Sequence, residues 1–130
     1  LVIKAGGGVL AKIGSADFYA VANGTTVKIA ASTDMPSLLG IDITAAYFNV
    51  VCFFVDAAGT VTAVAGTEGA TLAAMKWPDF PAQKALVGAL IITYASAFVG
   101  NTTPLDTATT VYLSPPGPFD PNALLGFVAA

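Results

Sequence analysis

The sequence predicts an all-β fold, an antiparallel β-sandwich or small barrel with one short helix and an extended, proline-rich C-terminal tail. Turn-forming residues recur at short intervals, and the segments between them are rich in β-branched and aromatic residues. Residues 47–55 and 85–94 are apolar on both faces, as is typical of strands in a sheet core. Four prolines between residues 115 and 121 are incompatible with a sheet interior. We therefore expect a β domain over residues 1–114 and an extended arm over residues 115–130.

The first part of the chain predicts three short strands, over residues 9–14, 17–22 and 25–30. Asn23-Gly24 separates the last two and is a strong hairpin signal, because both central positions of a type I′ turn require a positive φ. Residues 25–30 also alternate between apolar and polar side chains, which predicts one buried and one solvated face.

The middle of the chain predicts the centre of the sheet. Residues 31–43 are rich in turn formers and predict an irregular crossing. Residues 47–55 follow as the best core strand, and Gly59 supplies the left-handed position of the turn that leads into a lighter strand over residues 60–65. We expect three side chains of the core strands to be largely buried: Val51, Phe53 and Ile91.

The rest of the β domain predicts one helix and two further strands. Residues 69–77 are alanine-rich and are followed by Pro78, which predicts a short helix that ends there. Residues 85–94 predict a second two-sided core strand, and residues 109–113 predict a short final strand.

The chain carries few charges for its length. Only 10% of its residues are charged, with five lysines, no arginine and a net charge of −3, whereas an ordinary soluble domain has about 25%. This number of charged residues is too small to cover the surface of a free monomer in the usual way. We therefore expect part of the surface to pack against copies of this chain or against a larger protein. Scattered lysines argue against nucleic acid as a partner. The apolar run 85–99 is shorter than the ~20 residues of a spanning helix, which argues against a membrane.

The sequence offers no convincing catalytic or metal-binding residues. It contains no histidine, which removes the catalytic triads, histidine metal sites and the commonest general base. Cys52 lies in an apolar run and is expected to be a buried, unreactive thiol. Asp42, Asp56, Asp79 and Asp106 are widely spaced and each adjoins a turn or loop, where aspartate commonly bonds the backbone. We expect no enzymatic activity, no metal and no cofactor.

Trp77 and Phe80 flank Pro78 and allow two interpretations. The pair could stack on a sugar or a peptide. Alternatively, it is an aromatic connector that closes one end of the β core, which the surrounding prolines favour.

Several short motifs resemble, in their order, a group of small β proteins found among the virion genes of tailed bacteriophages. They are Ile-Gly at 13–14, Phe-Tyr-Ala at 18–20, Val-Asp-Ala-Ala-Gly-Thr-Val at 55–61, the Ala-rich segment 70–74, Trp-Pro-Asp-Phe-Pro-Ala at 77–82 and Leu-Val-Gly at 86–88. The proline-rich segment after Leu113 departs from that pattern. The resemblance carries over no catalytic residues.

The resemblance implies a capsid decoration (cement) protein on the exterior of the virion head, where it stabilises the shell. It implies as partners the chain itself, most simply as a homotrimer, and a major capsid protein. The alternative is a head-fibre or tail-associated module with a receptor or glycan site. We expect partner contacts at the arm and at the aromatic connector, namely at Pro115, Pro116, Pro118, Phe119, Leu124, Leu125, Phe127, Trp77 and Phe80.

Overall fold

The computed structural model describes residues 2–3 and 8–113, which form ten strands and no helix. Every strand pairing is antiparallel, so the prediction of an all-β, antiparallel fold is confirmed. The predicted arm over residues 115–130 lies outside the described residues. The strands are β1 (Val2–Ile3), β2 (Ala11–Lys12), β3 (Phe18–Ala22), β4 (Thr25–Ile29), β5 (Asp42–Ile43), β6 (Phe48–Val55), β7 (Val61–Ala65), β8 (Ala85–Thr93), β9 (Phe98–Val99) and β10 (Thr109–Leu113).

The main sheet has four strands in the order β10-β8-β6-β7. The long strand β6 lies between β8 and β7, and it is apolar on both faces because both faces are covered. Its pairing with β8 shifts register between Phe53 and Phe54, where Gly88 lies opposite Phe53. The two predicted core strands, over 47–55 and 85–94, are therefore confirmed as β6 and β8.

A second layer packs on one face of the main sheet. It contains the hairpin β3–β4 and the two-stranded sheets β1–β2 and β5–β9. The hairpin turn is confirmed, because Asn23 has a φ of 50° and Gly24 a φ of 75°. Val27 and Ile29 of β4 are buried while the residues between them are exposed, as the alternation predicts.

The principal core lies between these two layers. Val51, Phe53 and Val55 point into it from β6 and are fully buried, and the opposite layer contributes side chains such as Ile29 and Phe98. The arrangement is sandwich-like, and none of the sheets in the described part of the chain closes into a barrel. This face of the main sheet is called the first face below.

The short helix predicted over residues 69–77 is wrong. Gly69 forms a bridge with Phe48, in which each backbone N–H donates to the other residue's carbonyl at 2.8 and 2.9 Å. Thr67 and Lys76 exchange a second such pair of bonds, so the segment is a loop fastened to β6 and closed on itself. A helix of nine residues is only marginally stable even when it is alanine-rich. The hydrogen bonds with β6 outweigh that local preference.

Two other expectations need correction. Strand β5 forms inside the crossing that was predicted to be irregular, and it pairs with β9, for which no element was predicted; Asp42 lies opposite Val99 and Ile43 opposite Phe98. Val51 and Phe53 are buried as predicted, but Ile91 is only half-buried. Ile91 lies on the side of β8 that faces away from the principal core, and the cover over that side is incomplete.

Candidate functional site

The second face of the main sheet, opposite the principal core, is the candidate site. Val50, Cys52 and Phe54 of β6 point to this side and are fully buried. Leu86 and Ala89 of β8 lie beside them, in register with Phe54 and Cys52. The face is thus a second apolar cluster that needs a cover of its own.

A loop over residues 66–80, called the cover loop, packs on part of this face. It is fastened to β6, since the Gly66 N–H donates to the Val50 carbonyl at 2.8 Å and Gly69 bridges Phe48. The side chain of Asn49, the one buried polar residue in the described part of the chain, donates to the Gly66 carbonyl at 3.2 Å. Met75 and Phe80 from the loop pack against the second face.

Two hydrogen bonds to a carboxylate also hold the cover loop to the segment before β6. The Glu68 carboxylate accepts from the Thr44 N–H at 2.8 Å and from the Thr44 hydroxyl at 2.7 Å. These bonds favour the charged form and hold the pKa of Glu68 below its ordinary value. The contact therefore strengthens at pH values where Glu68 is ionised and is lost as the pH falls through that lowered pKa.

Phe80 packs on the second face, and Trp77 lies beside Phe80 on the side toward solvent. The Phe80 ring meets Phe54 edge to face, with centroids 5.3 Å apart and planes at 71°, a favourable aromatic geometry. Trp77 lies 6.5 Å from Phe80 and is 44% exposed. The structure thus brings the two sequence-predicted aromatics together. Phe80 contributes to the cover, while Trp77 presents apolar surface to solvent.

The cover is thin toward strand β10. Val111 lies opposite Ile91 in the register, and Leu113 lies opposite Ala89, so all four face the same side of the sheet. Val111 is 48% exposed, and Ile91 and Leu113 are half-buried. These three residues, Ile91, Val111 and Leu113, are called the Val111 patch. Sequence reasoning missed this patch, because residues 109–113 do not show which of their side chains lie on an exposed face.

Two of the aspartates in the described chain, Asp56 and Asp42, bond the backbone. Asp56 accepts from the backbone N–H groups of Ala58 and Thr60, both at 2.9 Å, and thereby forms the β6–β7 turn. Asp42 accepts from the Gly100 N–H at 3.2 Å. Burial raises the pKa of the Cys52 thiol to about 12, so it is not a nucleophile at neutral pH.

Within residues 2–3 and 8–113, no group of three or more cysteine or acidic side chains could hold a metal ion. The same residues contain no helix that is long and apolar enough to cross a membrane.

Comparisons with protein-family models, with curated proteins and with solved structures find no match to this chain. Seven of the predicted contact residues lie outside the described residues, namely Pro115, Pro116, Pro118, Phe119, Leu124, Leu125 and Phe127.

Proposed function

We propose that this chain is a structural virion protein of the capsid decoration (cement) type, which binds and stabilises the exterior of a head shell through protein–protein contacts. The observation that carries the proposal is the Val111 patch, an apolar surface at the edge of the main sheet. Val111 is 48% exposed on a chain in which only 10% of residues are charged.

Protein contact is the chemistry that this surface favours. The centres of stable protein interfaces are depleted in charged residues and enriched in apolar ones. Strands β8 and β10, which carry the patch, contain no charged residue. Exposed Trp77 adds an aromatic side chain of the kind that anchors interfaces.

The resemblance to small virion proteins of tailed bacteriophages supports the choice among structural roles. A decoration protein is repeated over a lattice, so it must bind the shell, and neighbouring copies can also bind one another. We propose a homotrimer as the simplest self-assembly and a major capsid protein as the second partner. The contact residues are those of the arm together with Trp77 and Phe80.

A head-fibre or tail-associated module that binds a receptor or glycan is the second candidate. The observation that favours it is the exposed ring of Trp77 beside Phe80, because exposed aromatic faces stack on sugars and peptides. The two roles differ in stoichiometry. A lattice protein occupies many equivalent positions on the head, whereas a fibre occupies few.

Occupancy on particles tests the proposal. Phage heads assembled without this chain, when mixed with the purified chain, should take it up to saturation at many regular positions over the shell, as counted by electron microscopy and quantitative gel analysis. A chain ending at residue 113 should fold but bind with reduced occupancy, because it lacks the arm. Binding at a few sites only would favour the fibre role, and no binding would overturn both.

A further inference from the structure

Strand β10, which carries Val111 and Leu113, lies at one edge of the main sheet. Among the described strands, β10 pairs only with β8, so its other side carries backbone groups without a neighbouring strand. Toward the centre of the sheet the cover loop packs on the second face, but Val111 at the edge remains half exposed. An extended apolar segment laid along this margin would complete the cover.

We propose that the Val111 patch of one copy binds the arm, residues 115–130, of a second copy. The inference rests on the proposed function only in that the chain works as an assembly. It assigns the arm to a defined surface of a neighbouring copy and leaves the contact with the shell to other residues.

The composition of the arm fits the patch. Residues 114–130 follow directly on Leu113, which is itself part of the patch, and contain one charged residue, Asp120. Five large apolar side chains are available to bury against a surface without charges, namely Phe119, Leu124, Leu125, Phe127 and Val128. Such a segment gains more by burial against apolar surface than by exposure to water.

The prolines favour a second copy over the chain's own patch. Residues 114–118 include three prolines, and proline together with its effect on the preceding residue favours extended backbone. Five residues in this conformation span roughly 15 Å at about 3.1 Å each. A segment that followed this preference would separate Phe119 from Leu113, which disfavours an immediate return of the segment to the Val111 patch of the same chain. A stiff segment also has little conformational freedom to lose, so its binding to another copy costs little conformational entropy.

Cysteine cross-linking tests the assignment. The native Cys52 is buried and its thiol has a pKa of about 12, so it does not compete for a maleimide reagent. A Val111→Cys chain and a Phe127→Cys chain are co-expressed with different tags and treated with a short bismaleimide. The expected result is a dimer that contains both tags. The control pairs Phe127→Cys with Val21→Cys, since Val21 is 39% exposed on the outer side of β3, and it should cross-link several-fold less.

A double variant tests whether the cross-link joins two copies or forms within one chain. Chains carrying both Val111→Cys and Phe127→Cys are co-expressed with an excess of wild-type chain, so that most neighbours lack both thiols. We expect cross-linking to fall as the wild-type excess rises. A constant amount of cross-link within one chain would overturn the assignment to a second copy, and equal cross-linking in the Val21 control would overturn the assignment to the patch.

The particle experiment and the cross-linking experiment fail independently. Cross-linking as expected, without binding to heads, leaves the arm contact in place and defeats the decoration role. Full occupancy on heads without the Val111–Phe127 cross-link supports the decoration role and defeats the arm contact.

Discussion

Replacing Phe53 with alanine should lower the free energy of unfolding by ~3–5 kcal/mol. Phe53 lies in the central strand β6, points into the principal core and is fully buried. Its cross-strand neighbours are Gly88 on β8 and Ala63 on β7. These small residues are poorly able to fill the space that the ring leaves, so the cavity should persist and the cost should lie in the upper part of that range.

Thermal or denaturant unfolding of the purified variant measures this effect. Leu39→Ala is the control, because it removes a large apolar side chain that is 76% exposed, and it should change stability by no more than about 0.5 kcal/mol. If Phe53→Ala melts within a degree or two of the parent, the principal core is not where the structure places it.

Replacing Gly66 with alanine should cost ~1–3 kcal/mol and displace the cover loop. An added Cβ at this position would collide with the Lys76 carbonyl oxygen and would lie 2.8 Å from Cγ1 of Val50. The Lys76 carbonyl accepts the bond from the Thr67 N–H at 2.9 Å, so relieving the collision pulls on the bridge that closes the loop. The second face beneath the loop should open as a result.

Cys52 reports on that opening, because it lies in the apolar cluster of the second face. We expect its labelling by a maleimide in the native state to be faster in Gly66→Ala than in the parent. Gly14→Ala is the matched control, since no heavy atom lies within 4 Å of a Cβ added there. Equal stability and equal Cys52 labelling in the two variants would show that the loop does not cover the second face as described.

Local patterns were sufficient to predict the hairpin and the two central strands. The Asn23-Gly24 turn depends on the φ preferences of two adjacent residues, and the alternation of β4 depends on a period of two. The two-sided apolar runs of β6 and β8 reflect burial on both faces. Each of these signals is contained in a short window of sequence.

The missed features depend on contacts between distant segments. The alanine-rich residues 69–77 favour a helix locally, but Gly69 bonds to Phe48, and that pairing is invisible in the window. Strands β5 and β9 have two residues each and are held by each other, with Asp42 also bonded to the Gly100 N–H. Strands this short have no periodicity to detect.

The candidate site was predictable in part. The sequence indicated that Trp77 and Phe80 act near one another, and the structure adds that Phe80 packs on Phe54 while Trp77 remains exposed. The Val111 patch was beyond sequence reasoning, because it requires the strand order and the register that place Val111 opposite Ile91. Hydrophobicity alone does not tell a covered valine from an exposed one.

Sedimentation equilibrium of the full chain tests most directly the central claim that the protein works as an assembly through the Val111 patch. At micromolar concentration we expect a homotrimer, with about three times the 13.0 kDa mass of one chain. Val111→Asp should reduce the mass to that of a single chain, because a carboxylate buried without a partner opposes association. Val21→Asp, which places the same charge on the exposed outer side of β3, should leave the trimer intact. A wild-type chain that remains a monomer, or a Val111→Asp chain that associates as the parent does, would contradict the account.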